Sequence, residues 1–238
     1  MPDSGGIVSL RVAVTGGTSG LGLALVRLLS ERGDAVAFVA RRAGLVREVA
    51  RRWHHAHGIV GDVSRKEETH RIALQVTAAL GGLDVLINNA SSLGPVPLAP
   101  LADTECEELE EALATNLVGP FRLTKALLGA LAAAAREGRP ALVINIVSDA
   151  AIEAYAGWGA YGASKAALLH MSRIWDEELS PHGVRVHAVD PGDMDTPLHA
   201  LAAPAADPSG LKRPEESARE IVSLIDSAQK VPSVVGDR

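Results

Sequence analysis

Short runs of β-branched and aliphatic residues alternate along the chain with longer stretches whose apolar positions recur every three or four residues. Residues 12–14 are apolar and stop at Thr15-Gly16-Gly17; Leu21, Ala24, Leu25, Leu28 and Leu29 then mark one face of a helix that Gly33-Asp34 ends. Residues 36–40 read as a strand, 41–53 as a helix, and Ile59-Val60 as a short strand ending at Asp62. Residues 66–80 form a third helix, closed by Gly81-Gly82, and residues 85–87 a strand running into Asn88-Asn89. Residues 105–136 carry one or two helices, with a kink or break expected at Gly119-Pro120. The pattern continues with a strand at 142–147, a helix at 161–180 stopped by Pro181 and Gly183, a strand at 184–189, and a last helix at 214–227 with Pro214 in its first turn.

Strands that are apolar throughout and separated by helices are buried on both faces, which means a parallel sheet. Right-handed crossovers then predict an α/β fold with a doubly wound sheet and helices on both faces. No shift of composition marks a boundary, so residues 1–238 are expected to form a single domain. Val234-Val235 would be a final, weak parallel strand. Residues 198–210, rich in Ala and Pro, show no helical periodicity; they are either a lid over a pocket, within a short substrate loop at about 194–210, or a surface loop.

Composition narrows the class. Hydrophobic residues make up 47% and charged residues 22%, enough for a core and against disorder, and with only 3% aromatics that core is aliphatic. Cys106 is the single cysteine, so no internal disulfide forms. The formal charge of -6 does not suggest a nucleic-acid partner. Residues 1–6 lack the basic start of a signal peptide, and the longest apolar run, 126–135, is far short of a membrane span. These features point to a cytoplasmic protein without a membrane partner. His54, His55 and His57 are close in sequence but lack a carboxylate or thiolate partner, so no metal site is expected.

Two places carry chemistry. The glycine-rich run from Thr15 to Gly22 lies between the first strand and the first helix, where glycines let a diphosphate approach the backbone and a helix N-terminus offers free N–H groups. Gly16, Thr18, Ser19, Gly20 and Leu21 are the candidate contacts. A carboxylate for a ribose 2′-hydroxyl would stand at the end of the second strand, but Arg41-Arg42 stands there and suits a 2′-phosphate, so NADP(H) is expected over NAD(H). Farther along, Tyr161 and Lys165 share a helix face. A free phenol has a pKa of about 10; bringing it near neutrality takes roughly 4 kcal/mol, which a nearby ammonium and a cationic ring could supply. Ser148, at the end of a strand, could hydrogen-bond a carbonyl gaining negative charge. Asp149 and Glu153 either face the substrate or are solvated, and Tyr155 and Trp158 either wall a pocket or pack.

With these motifs in order, the chain resembles the compact, single-domain, Rossmann-like branch of the short-chain dehydrogenase/reductase family, from Val12 to about Thr196. Thr15-Gly16-x-x-x-Gly20-x-Gly22 resembles its cofactor loop, Asp62-Val63 its adenine-contacting pair, and Asn88-Asn89-Ala90 its Asn-Asn-Ala-Gly motif, with Ser91 in place of the glycine. Ser148 precedes Tyr161-Gly-Ala-Ser-Lys165 at the family's spacing, Asn116 falls at its catalytic asparagine, and Pro191-Gly192 with Thr196 matches the nicotinamide-side loop. The resemblance implies an NADP(H)-dependent oxidoreductase that interconverts a carbonyl and a secondary alcohol. Asn116, Ser148, Tyr161 and Lys165 would be catalytic. Asn89, Ala90, Tyr161, Lys165, Pro191, Gly192 and Thr196 would join the phosphate-side and arginine positions around the cofactor. Tyr161 would move the proton, Lys165 would bind the nicotinamide ribose, and Asn116 would hold a water relaying protons to Lys165. The implied partners are a small carbonyl or alcohol and further copies of the chain, as a homodimer or homotetramer. A non-catalytic NADP(H)-binding regulatory protein on the same fold, and an isomerase or dehydratase, are the alternatives.

Overall fold

In the computed structural model, which describes residues 9–229, six parallel strands form one sheet in the order β3-β2-β1-β4-β5-β6. They are β1 (Arg11–Thr15), β2 (Ala35–Ala40), β3 (Ala56–Val60), β4 (Val85–Asn88), β5 (Leu142–Ile146) and β6 (Arg185–Val189). Their burial follows their position. Every residue of β4 and β5 is buried, whereas β3 and β6, at the edges, leave some of theirs partly or fully exposed. In register, Val12 stands between Val36 of β2 and Val85 of β4. The expected strand at Val234-Val235 lies outside the described residues.

Because successive side chains of a strand point to opposite faces, each strand feeds two cores. On one face Val12, Val14, Val36, Phe38, Ile87 and Ile144 pack against α1 (Gly20–Arg32), α2 (Ala43–Arg52) and α8 (Pro214–Gln229). On the other, Ala13, Ala37, Val39, Leu86 and Val143 meet α3 (Thr69–Leu80), α5 (Gly119–Arg136) and the end of α6 (Gly159–Leu179). Helix α1 presents Leu21, Leu25 and Leu29 at four-residue spacing and stops at Gly33, whose φ of +92° suits a residue without a Cβ.

Three elements differ from the sequence reading. The predicted break at Gly119-Pro120 is a widening rather than a gap. Helix α4 (Cys106–Leu113) passes through a π-helical turn, Ala114–Val118, into α5. Pro120 has no N–H to give the Asn116 carbonyl, so the ordinary i→i+4 bond is missing there, and the wider turn carries the helix past it. The whole run Cys106–Arg136 is long and apolar, with a mean hydropathy of 1.3 in its most apolar window. Its stripe of Leu123, Leu127 and Leu131 is taken up by the sheet, as in a core helix. Helix α6 starts two residues before Tyr161, since Gly159 and Ala160 extend it without showing any periodicity. Residues 198–210 are not plain loop. Thr196 caps α7 (Pro197–Ala202) by accepting the His199 N–H at 3.2 Å, with Pro197 in the first turn. The base of this excursion is clipped shut where Lys212 N–H donates to the Asp193 carbonyl at 3.0 Å and Asp195 N–H to the Lys212 carbonyl at 2.9 Å.

Candidate active site

The carboxyl ends of all six strands open into one cavity of about 710 Å³. It lies where β1 and β4, neighbours in the sheet, send their following chains to opposite faces, the place where open α/β sheets bind ligands. Every residue expected in the site lines this cavity except Asn116, which is buried behind it.

At the phosphate end, the loop after β1 is folded against the end of β4. Thr15 Oγ1 accepts the N–H groups of Asn89 and Ala90 at 2.9 and 3.0 Å, and Asn89 Nδ2 donates to the Thr15 carbonyl at 2.8 Å. A Cβ on Gly22 would stand 2.2 Å from the Gly16 carbonyl oxygen, and one on Gly16, at φ +74°, 2.9 Å from Asn89 Nδ2. Only glycine fits at either position. Ser19 precedes α1 without capping it, and no acidic residue stands in the first turn, so the N-terminal N–H groups face the cavity with their partial positive charge available. A diphosphate fits this cradle. At the end of β2, Arg41 and Arg42 are exposed on the cavity rim. Asp62 Oδ1 is engaged in its own turn, accepting the N–H and hydroxyl of Ser64 at 3.0 and 2.7 Å.

At the other end, α6 brings Tyr161 and Lys165 to the tip of β5. Both are buried, with exposures of 8% and 2%. Lys165 Nζ donates to the Ile146 carbonyl at 2.8 Å and lies 5.5 Å from the centre of the Tyr161 ring. Burial pushes the phenol up to about 12; the hydroxyls of Ser148 and Ser91 pull it down in part, and Asp190 and Asp149 push it further up. Burial alone takes Lys165 down to about 7. The expected lowering called for a charged lysine together with a cationic nicotinamide; in the protein by itself the phenol lies high. Lys165 is shifted by burial and not by a carboxylate, so it loses much of its charge near neutrality, and the phenol stays protonated.

Asn116 sits in the π turn with every side-chain valence used. Its Oδ1 accepts from Ser91 Oγ at 3.1 Å and Ser92 N at 2.8 Å, and its Nδ2 donates to the Ser92 carbonyl at 2.7 Å and Ser164 Oγ at 2.8 Å. The water relay expected of Asn116 therefore does not run through its side chain, which clamps the loop after β4 to the helix that carries Lys165. Ser148 Oγ donates to Asp149 Oδ1 at 2.9 Å, and Tyr155 OH donates to Asp149 Oδ2 at 2.8 Å. Asp149, Tyr155 and Trp158 line the cavity, and Glu153 is not among its lining residues. Leu93, Trp158, Leu198 and Ala202 form an apolar wall beside Tyr161.

Sequence reasoning missed the polar ladder behind the site. Asn88 Nδ2 donates to Asn145 Oδ1 at 2.8 Å, and Asn145 Nδ2 to Ser172 Oγ at 2.8 Å. The signal was an asparagine inside an otherwise apolar strand, since a buried amide requires partners.

The sequence profile of the family described as short chain dehydrogenase matches residues 11–206. The 2-(R)-hydroxypropyl-CoM dehydrogenase of Xanthobacter autotrophicus is 32% identical over 194 residues, covering 79% of this chain and 76% of the relative. The cis-4-hydroxycyclohexanecarboxylate dehydrogenase of Sinomonas cyclohexanicum is 34% identical over 230 residues, covering 92% and 90%. Among solved structures, a short chain dehydrogenase from Shigella flexneri complexed with NADP matches with a TM-score of 0.83 at 26% identity, covering 92% of this chain and 93% of that one.

Proposed function

The chain belongs to the short-chain dehydrogenase/reductase family of oxidoreductases, and on that premise we propose that it interconverts a carbonyl and a secondary alcohol with NADP(H), using Tyr161 as the acid and base. The observation that carries this reading is the pairing of a buried phenol and a buried amine one helical turn apart, at the end of a cavity whose other end is a glycine cradle for a diphosphate.

A bound nicotinamide supplies the hydride in reduction and takes it in oxidation. The protein's own part is proton chemistry and placement. A phenol held at about 12 is fully protonated at neutral pH, the state needed to protonate a carbonyl oxygen as it turns into an alkoxide. Once the proton has left, a negative charge stands beside the Lys165 amine and raises its hold on a proton. The two groups thus act as a unit: Lys165, at about 7, is partly protonated at rest, and the ionised phenol favours its charged form. Lys165 keeps further N–H groups for ribose hydroxyls while one rests on the Ile146 carbonyl. Ser148 turns its hydrogen from Asp149 to the substrate oxygen and polarises it. The apolar wall of Leu93, Trp158 and Leu198 excludes water from the reacting atoms.

The NADP(H) preference rests on Arg41 and Arg42 at the rim and on the absence of any carboxylate in the Ala40-Arg41-Arg42 stretch that ends β2. The test is a panel of aliphatic, cyclic and aromatic carbonyl compounds followed by loss of NADPH absorbance, with Tyr161→Phe as control. Consumption abolished by Tyr161→Phe supports the assignment. Consumption that survives it removes Tyr161 as the proton donor.

A further inference from the structure

The charged groups that line the cavity are divided between its two ends. Arg41 and Arg42 follow β2, whereas Asp149 follows β5 and Asp190 and Asp193 follow β6. From β2 to β5 the sheet runs β2-β1-β4-β5, three strand spacings or about 14 Å, more than a Debye length at physiological salt. The other bases on the lining are Lys165, whose Nζ rests on the Ile146 carbonyl beside the Tyr161 ring, and His199 of α7. Asp149 is fixed from three sides. Its Oδ1 accepts the Ser148 hydroxyl at 2.9 Å and the Ala150 N–H at 2.7 Å, and its Oδ2 accepts the Tyr155 hydroxyl at 2.8 Å. An oxygen hydrogen-bonded to Ser148 Oγ therefore lies within about 6 Å of this carboxylate. The bond from Tyr155 holds the carboxyl below its usual range, so it is charged at neutral pH. The wall around it is apolar. The Tyr155 and Trp158 rings stand edge to face with centroids 6.4 Å apart, Trp158 and Tyr161 likewise at 5.7 Å, and Leu93 and Leu198 pack beside them.

We propose that Asp149 is a specificity-determining residue: the part of the cavity it shares with Ser148 admits uncharged, apolar carbonyl compounds and alcohols, and turns away those with a carboxylate or other anion within a few bonds of the reacting carbon. This names the substrate class of the oxidoreductase reading and rests on it for the placement of the substrate oxygen at Ser148. An apolar body gains by leaving water for the wall of Leu93, Trp158 and Leu198. An anion brought to the same place gives up its hydration and meets Asp149, while the guanidiniums that line the cavity stand at its other end. Asp149 cannot swing aside without leaving the Ala150 N–H and the Tyr155 hydroxyl short of their acceptor, so its charge stays where the substrate must pass.

Probes matched in shape and differing in charge test this: 5-oxohexanoate, 4-oxocyclohexanecarboxylate and 4-acetylbenzoate, each against its primary carboxamide. Affinities are read by calorimetry on Tyr161→Phe protein, with and without NADPH, so that no turnover is needed. In that parent the amides are expected to bind about tenfold more tightly than their acids. Asp149→Asn, which keeps a side chain of the same shape and removes the charge, is expected to lower that ratio about tenfold. Asp193→Asn is expected to lower it less, because that residue has no recorded bond to Ser148 or Tyr155. Three results overturn the proposal: acids that bind the parent as tightly as their amides, a ratio unmoved by Asp149→Asn with unchanged circular dichroism, or no binding by any amide. An equal effect of Asp193→Asn overturns the assignment to Asp149, and an acid that binds the parent but not His199→Ala does so by making His199 its counter-charge. Should Asp149→Asn fail to fold, Asp149→Ala is titrated in its place and read in the same way. The oxidoreductase reading fails separately, if no carbonyl in the panel consumes NADPH, and the binding ratio stands or falls without it. With turnover in the wild type, kcat/KM for amide over acid is expected to follow the same ratio, chiefly through KM.

Discussion

The two ends of the sheet treat buried charge in opposite ways. At the amino ends of the strands, Asp84 has a fully buried side chain held between two guanidiniums, Arg11 Nη2 and Arg139 Nη2, each at 2.6 Å. Burial raises its pKa, but hydrogen bonds from Arg139 and Arg11 outweigh that and hold the carboxyl below its usual range. Asp34, nearby in the same layer, is likewise held by Arg32 at 2.6 Å. At the carboxyl ends, Lys165 is equally buried, yet its bond within the protein is to one carbonyl. A charge meant only for stability is compensated within the fold. The buried amine at the cavity is left with hydrogen-bonding capacity to spare, at a cost in stability.

The comparison can be broken most directly at the chemical end. Tyr161→Phe is expected to lower kcat for carbonyl reduction by about a hundred- to ten-thousandfold without moving the melting temperature by more than a degree or two. A large loss of stability would mean that the phenol is structural. The reverse holds at the other end. Asp84→Ala leaves two partly buried guanidiniums with only the exposed Glu137 carboxylate, 3.6 Å from Arg11, as counter-charge and is expected to cost about 2–4 kcal/mol in denaturant unfolding, while the activity per folded molecule stays at the wild-type level. If both ends lost stability alike, the distinction drawn here would be wrong.

Arg41→Ala sharpens the picture of the adenosine side. The KM for NADPH is expected to rise about tenfold and that for NADH to stay nearly constant, since the lost charge meets only a 2′-phosphate. Equal effects on both dinucleotides would remove the NADP(H) assignment. The smallest effect is one of pH. Lys165 sits near 7 in the folded protein and near 10.5 in the unfolded chain, so between those values the unfolded chain binds more protons and stability from this group rises with pH. Thermal melts between pH 7 and 10 are expected to show a smaller alkaline gain for Lys165→Met than for the wild type. A gain of equal size would show that the amine is charged in the folded state.

The central strands, the helices flanking them and the sheet class were legible in the chain because burial on two faces favours apolar runs, which β4 and β5 have apart from Asn88 and Asn145. The glycine-rich end of the cavity was legible because glycines between a strand and a helix leave few other uses. Helix α7 was missed although Thr196-Pro197 carries its start signal, because a six-residue helix has too few turns to show a period. The high pKa of Tyr161 in the protein by itself was not legible for a different reason. Spacing shows that a lysine lies one turn away, but not how much water either group keeps.

The sequence by itself determined the order of strands and helices, the backbone cradle after β1 and which side chains are candidates for the chemistry, since each follows from local periodicity or from a residue type at a fixed interval. Only the tertiary structure decided that Asn116 is a clamp and that Lys165 lacks the counter-charges Asp84 has. Those properties depend on desolvation and on partners from distant segments, Ser91 with Asn116 or Asp84 with Arg139, which meet only when the sheet has closed.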